Sequence, residues 1–80
     1  MIIKVLGSGC ANCVKLEENT RIALKELEIE AEVVKVKDYA DIMAYGVMST
    51  PALVVDEKVV SYGKVLPPAI IKMLLKKSNS

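Results

Sequence analysis

The sequence predicts an α/β fold in the order β-α-β-α-β-β-α, a four-stranded mixed sheet with helices on both faces. Three observations lead to it. Short apolar runs rich in valine and isoleucine recur at 2–6, 31–36, 52–55 and 59–62, each bounded by glycine, proline or charged residues. Between the first two lies a segment of helical periodicity, and a strand–helix–strand unit implies a parallel pair joined by a right-handed crossover. The last two runs are separated only by Asp56-Glu57-Lys58, so they pair as an antiparallel hairpin.

Each element has its own local reason. Ile2, Ile3, Val5 and Leu6 form a short buried strand interrupted by Lys4, and Gly7-Ser8-Gly9 breaks it. From Ala11 to about Glu28, Cys13, Leu16, Thr20, Ala23 and Leu27 fall on one helical stripe, widened by Val14, Ile22 and Leu24. Glu17, Glu18 and Arg21 read as its solvated face. Val33, Val34 and Val36 make the second strand. Asp38 then offers an N-cap to a helix of about two turns through Tyr45, ended by Gly46 as a left-handed residue. Val47-Met48-Ser49-Thr50-Pro51 is a loop feeding the hairpin strands, and Gly63 ends the second of these. Pro67 and Pro68 suit the first turn of a last helix, whose final cations Lys76 and Lys77 favour its C-terminal dipole. Tyr39, Tyr45 and Tyr62 read as partly buried packing residues, and Met43, Met48 and Met73 as apolar filler.

Eighty residues make one domain spanning 1–80, and a 52% hydrophobic content is enough for a compact core. Eleven basic residues against 10 acidic ones, scattered together and without Trp or Phe, argue against a nucleic-acid surface. The N-terminal segment lacks the apolar length and basic leader of a signal peptide. No run approaches the ~18 apolar residues of a membrane span. A cytoplasmic location is therefore expected, where a close cysteine pair is catalytic or metal-binding more often than structural.

That pair, Cys10-Ala11-Asn12-Cys13, stands where the first strand hands over to the first helix. A helix start offers unpaired N–H groups and the positive end of the macrodipole, which favour a thiolate on the first cysteine. Cys10 is thus a candidate nucleophile and Cys13 its resolving partner. With two cysteines and no histidine, one chain cannot complete a four-ligand zinc or iron–sulfur site. A soft-metal carrier and a binding module with regulatory thiols stay open beside redox chemistry at this point.

Two separated motifs, Gly9-Cys10-Ala11-Asn12-Cys13 and Tyr45-Gly46-Val47-Met48-Ser49-Thr50-Pro51-Ala52-Leu53-Val54-Val55, together with the order of elements, resemble the thioredoxin/glutaredoxin superfamily. The likeness is to its small archaeal and bacterial thioredoxin-like redox-active disulfide proteins, and it covers nearly the whole chain. It implies a thioredoxin fold and a dithiol–disulfide oxidoreductase in which Cys10 and Cys13 are catalytic. It further implies a cis-proline loop whose Thr50 and Pro51 pair with an extended substrate, in a docking groove bordered by Gly9, Ala11, Asn12, Gly63 and Lys64.

The implied partners are a disulfide-containing protein substrate and an external reductase of the thioredoxin-reductase type. No cofactor or metal is required, and a monomer is expected. The chain departs from the family's usual pattern in carrying Gly9 in place of an aromatic residue before the first cysteine and Ala11-Asn12 between the pair. Tyr62-Gly63-Lys64-Val65-Leu66 stands where glutaredoxins carry an acidic glutathione-binding segment. The first strand offers no acid to take the proton of Cys13.

Overall fold

The computed structural model describes residues 1–9 and 11–78. Its elements are β1 (Ile2–Leu6), α1 (Ala11–Leu27), β2 (Glu32–Val36), α2 (Tyr39–Ala44), β3 (Ala52–Val55), β4 (Lys58–Tyr62) and α3 (Pro68–Ser78). The sheet runs β2-β1-β3-β4. β1 is parallel to β2 and antiparallel to β3, which is in turn antiparallel to β4.

Alternation along the two central strands divides the core between the faces of the sheet. Ile3 and Val5 of β1 and Leu53 and Val55 of β3 meet Leu16, Ala23 and Leu24 of α1 and Ile71 and Leu75 of α3. Leu6, Ala52 and Val54 meet Ile42 of α2 and Val47 on the opposite face. β3 is buried on both sides, which is why its sequence is an unbroken apolar run.

α1 follows the expected stripe through Cys13, Leu16, Thr20, Ala23 and Leu24, but its edges differ. Val14 and Ile22 are exposed, whereas Glu17, expected in solvent, is buried. The cause is β2: Lys35 reaches Glu17 at 3.2 Å and gives the carboxylate a cation at the rim of the sheet. The helix ends at Leu27 with Glu28 left-handed at φ 55°. The Glu28 amide donates to the Lys25 carbonyl at 3.2 Å and the Ile29 amide to that of Leu24 at 3.0 Å, a Schellman closure built without glycine.

Asp38 caps α2, its Oδ1 accepting from the Ala40 amide at 2.9 Å, and Gly46 follows at φ +76°. The hairpin turn is tighter than expected. Asp56 and Glu57 both take positive φ, 49° and 70°, so two residues suffice and β4 begins at Lys58. Pro67 accepts the Ile70 and Ile71 amides at 3.1 Å, and Pro68 opens α3. The Asn19 amide donates to the Leu66 carbonyl at 2.9 Å and ties α1 to the segment entering α3.

The aromatic and methionine expectations need correcting. Tyr39 is 75% and Tyr62 60% exposed, and Met43, Met48 and Met73 are exposed rather than filling the core. Short α2 fills its inward face with Ile42, and edge strand β4 gives Val60 to the core on one face of the sheet and Val59 to that on the other. No helix among the described residues is long and apolar enough to cross a membrane.

Candidate active site

Two of the chain's turns converge on the first turn of α1. Cys13 lies there on the inward stripe and is 5% exposed. Beside it β1 runs out at Gly7, whose amide donates to the Val36 carbonyl at 2.9 Å and so extends the β1–β2 ladder by one residue. A methyl group at Gly7 would overlap the Cys13 sulfur and stand 3.9 Å from Cβ of Thr50. Gly7 is therefore glycine for space, and that space lets β1, the thiol and the Thr50 loop close on one another.

The Thr50–Pro51 bond is cis, with Pro51 buried and Thr50 exposed. The Gly63 amide donates to the Pro51 carbonyl at 2.9 Å. Gly63 takes φ +76°, and a Cβ there would stand 3.2 Å from that of Ser49, so the end of β4 nests against the proline loop. Ala11 and Asn12 are exposed at the head of α1, and Gly9 is exposed at φ +92°. Lys64, next to Gly63, lines a groove along β4 with Val59, Val60, Ser61 and Tyr62. Cys10 lies outside the described residues.

On the β2 side, Cys13 opens onto a pocket of about 110 Å³ lined also by Val5, Gly7, Gly9, Val14, Glu17, Lys35 and Lys37. Glu17 accepts from Arg21 at 2.9 Å, one turn further along α1, as well as pairing with Lys35. Burial by itself would push the Glu17 carboxyl up. Hydrogen bonds from Arg21 and Lys35 outweigh that and hold it below the usual carboxylate range. A second charged cluster lies on the α2 face, where Lys4 donates at 2.6 Å to both the Tyr45 hydroxyl and Glu57.

Gly7, Glu17, Lys35 and Lys37 were not among the site residues expected from sequence. Gly7 had a signal, since it precedes a loop that already holds the flexible Gly9. For Glu17 the signal was its place four residues after Cys13, on the same side of the helix. The lysines had none, because the pairing of β2 with β1 brings them here.

Comparison with known proteins places the chain. Residues 1–76 match the family model described as a thioredoxin domain. A thioredoxin of Methanothermobacter thermautotrophicus is 43% identical over 75 residues, covering 94% of this chain and 97% of the relative. A thioredoxin of Methanocaldococcus jannaschii is 38% identical over 76 residues, covering 95% and 87%. With a mixed four-stranded sheet, helices on both faces and a family match over nearly its whole length, the chain belongs to the thioredoxin family.

Proposed function

We propose that the protein is a dithiol–disulfide oxidoreductase that reduces protein or small-molecule disulfides through Cys10 and Cys13. The observation that carries this reading is the seating of the Cys13 sulfur under Gly7 at the head of α1, beside Thr50, in a chain of this family. Cys10 thiolate attacks a substrate disulfide, forming a mixed disulfide and releasing one substrate thiolate. Cys13 then loses its proton and attacks the Cys10 sulfur, so the mixed disulfide breaks, the second substrate thiolate leaves, and an internal Cys10–Cys13 disulfide remains. The substrate gains two electrons and the pair loses them.

Gly9, Ala11, Asn12, Thr50, Pro51 and Gly63 border the groove where an extended substrate docks, and Lys64, next to Gly63, adds a cation there. A reductase of the thioredoxin-reductase type returns the pair to the dithiol, and the reaction runs in the cytoplasm. Neither a soft-metal carrier nor a regulatory-thiol module is favoured by membership of this family.

The test is substitution of each thiol. Cys10→Ser abolishes attack on a generic protein disulfide, whereas Cys13→Ser attacks once and stops as a mixed disulfide visible by mass spectrometry. Reversal of that pattern overturns the assignment. Ala11-Asn12 brings no positive charge and the chain has no histidine to stabilise a thiolate. The potential should accordingly fall nearer about −270 mV than about −120 mV in a redox titration.

A further inference from the structure

Lys4 stands on a central strand, opposite Val54 of β3 and on the face that Leu6, Ala52 and Val54 otherwise make apolar. A leucine there would bury more apolar surface without the cost of desolvating a charge. What the lysine supplies instead is direction. Its ammonium donates at 2.6 Å to Glu57 and at 2.6 Å to the Tyr45 hydroxyl, which itself donates to the other Glu57 oxygen at 3.1 Å. Side chains from β1, the β3–β4 turn and the end of α2 thus close a triangle in which every edge is a hydrogen bond.

Two corners of that triangle are fixed from outside it. Asp56, beside Glu57, accepts the Ile2 amide on its Oδ1 and donates its own amide to the Ile2 carbonyl, both at 2.9 Å, which straps the turn to β1. Glu57 itself takes φ 70°, where glycine would be relaxed, but glycine has no carboxylate to offer. The third corner, Tyr45, is the C-cap of α2 and opens the connection to the Thr50–Pro51 loop. It packs against the cluster that holds Val47, and the connection ends at Pro51, which is buried and accepts the Gly63 amide at 2.9 Å. Only residues 46–50 lie between the triangle and the proline. Of these Val47 alone is buried, so Met48, Ser49 and Thr50 take their course from Tyr45 behind them and Pro51 ahead.

We propose that Lys4, Tyr45 and Glu57 are positioning residues that hold the 46–50 connection in the course presenting Thr50 to an extended polypeptide, and so set the affinity for protein disulfides. This rests on the Cys10–Cys13 reading and the docking groove given above. An extended segment gains affinity through main-chain hydrogen bonds, and it gains most when the receiving backbone is already ordered. A small disulfide makes no such bonds. The triangle therefore favours polypeptides over small disulfides and leaves the chemistry of the thiols alone.

The experiment compares two disulfides with the same leaving group, by stopped flow on the reduced full chain. One is dithiobis(nitrobenzoate); the other is a peptide whose single cysteine is capped as a mixed disulfide with thionitrobenzoate. Attack by Cys10 on either releases a coloured thiolate, and this first release is followed. Tyr45→Phe removes the hydroxyl and keeps the ring. The peptide concentration giving half the maximal rate rises about 3–10-fold, the scale of one or two lost hydrogen bonds, while the maximal rate and the rate with dithiobis(nitrobenzoate) are unchanged. In the same variant the Gly63 amide, which bonds Pro51, exchanges with deuterium about 3–10-fold faster, and the Gly7 amide at the end of β1 keeps its protection.

Lys4→Met moves both readouts in the same direction, and it decides alone should Tyr45→Phe fail to fold. A half-saturating peptide concentration unchanged in both variants overturns the proposal. So does a loss shared equally by the peptide and dithiobis(nitrobenzoate), which leaves the triangle a structural ion pair. A wild type that attacks neither disulfide would instead strike the Cys10–Cys13 reading, and the Gly63 exchange rate would then decide the positioning by itself.

Discussion

Gly7 shows how much one missing side chain can decide. Its position is set by the hydrogen bond its amide donates to the Val36 carbonyl, and the space its side chain would occupy is filled by the Cys13 sulfur. Gly7→Ala therefore forces either the ladder or the helix to move. We expect a loss of about 1–3 kcal/mol in urea unfolding, the usual cost of overpacking, together with slower release of substrate from the mixed disulfide. Glu17 carries a pH signature. Its carboxyl lies below the usual range in the folded protein, so its stabilising contribution is complete above the unfolded value of about 4.3 and is lost as pH falls through the folded one. Glu17→Gln removes this dependence. Thermal melts of the two proteins should differ most near neutrality and converge in acid, and a constant gap across that range would contradict the assignment.

Helix and hairpin ends carry their own strain and their own remedies. α1 closes through Glu28 at φ 55°, a conformation that costs a side-chain-bearing residue about 1–2 kcal/mol and glycine little. After the entropy glycine loses on folding, Glu28→Gly should raise stability by about 0.5–1 kcal/mol, read as a higher urea midpoint at unchanged slope. The β3–β4 turn holds two more such residues, Asp56 at φ 49° and Glu57 at φ 70°, and tertiary partners retain Glu57. Lys4 and then Tyr45 hydrogen-bond its carboxylate and draw its pKa below the usual range, while Glu57 and then Tyr45 raise Lys4 above the usual lysine value. On the acid side the Glu57 contribution is complete above the ordinary carboxylate value and fades as pH falls through the folded value. Replacing Glu57 by Gln should therefore lower the melting temperature at neutral pH and make no difference in strong acid.

Across the molecule, Leu16 links the helix layer to the sheet, since it packs in one cluster with Ile3 and Val5 of β1, Leu53 of β3 and Ile71 and Leu75 of α3. Leu16→Ala should cost about 2–5 kcal/mol, a large share of the roughly 5–15 kcal/mol that holds a small domain together, and denaturant unfolding followed by circular dichroism would measure it. The order of elements, the parallel and antiparallel pairings, the Asp38 cap and the place of Cys13 on the inward stripe were legible in the chain itself. Each depends on periodicity, on turn residues or on connection length, all of which are local. Glu17, Lys35 and Gly7 were not legible as a group. The place of Glu17 four residues after Cys13 sets it apart from the exposed Glu18, but its burial and charge partner were not legible, because the lysine that reaches it comes from a strand eighteen positions away. Exposure of Tyr39, Tyr62 and Met48 was hidden for the converse reason: an apolar side chain goes inside only where an inward face remains to be filled, and neighbours had already filled it. Local chemistry thus set the elements and their order, while the pairing of β2 with β1 and the packing of α1 across them decided which charges, and which empty space, meet the thiol.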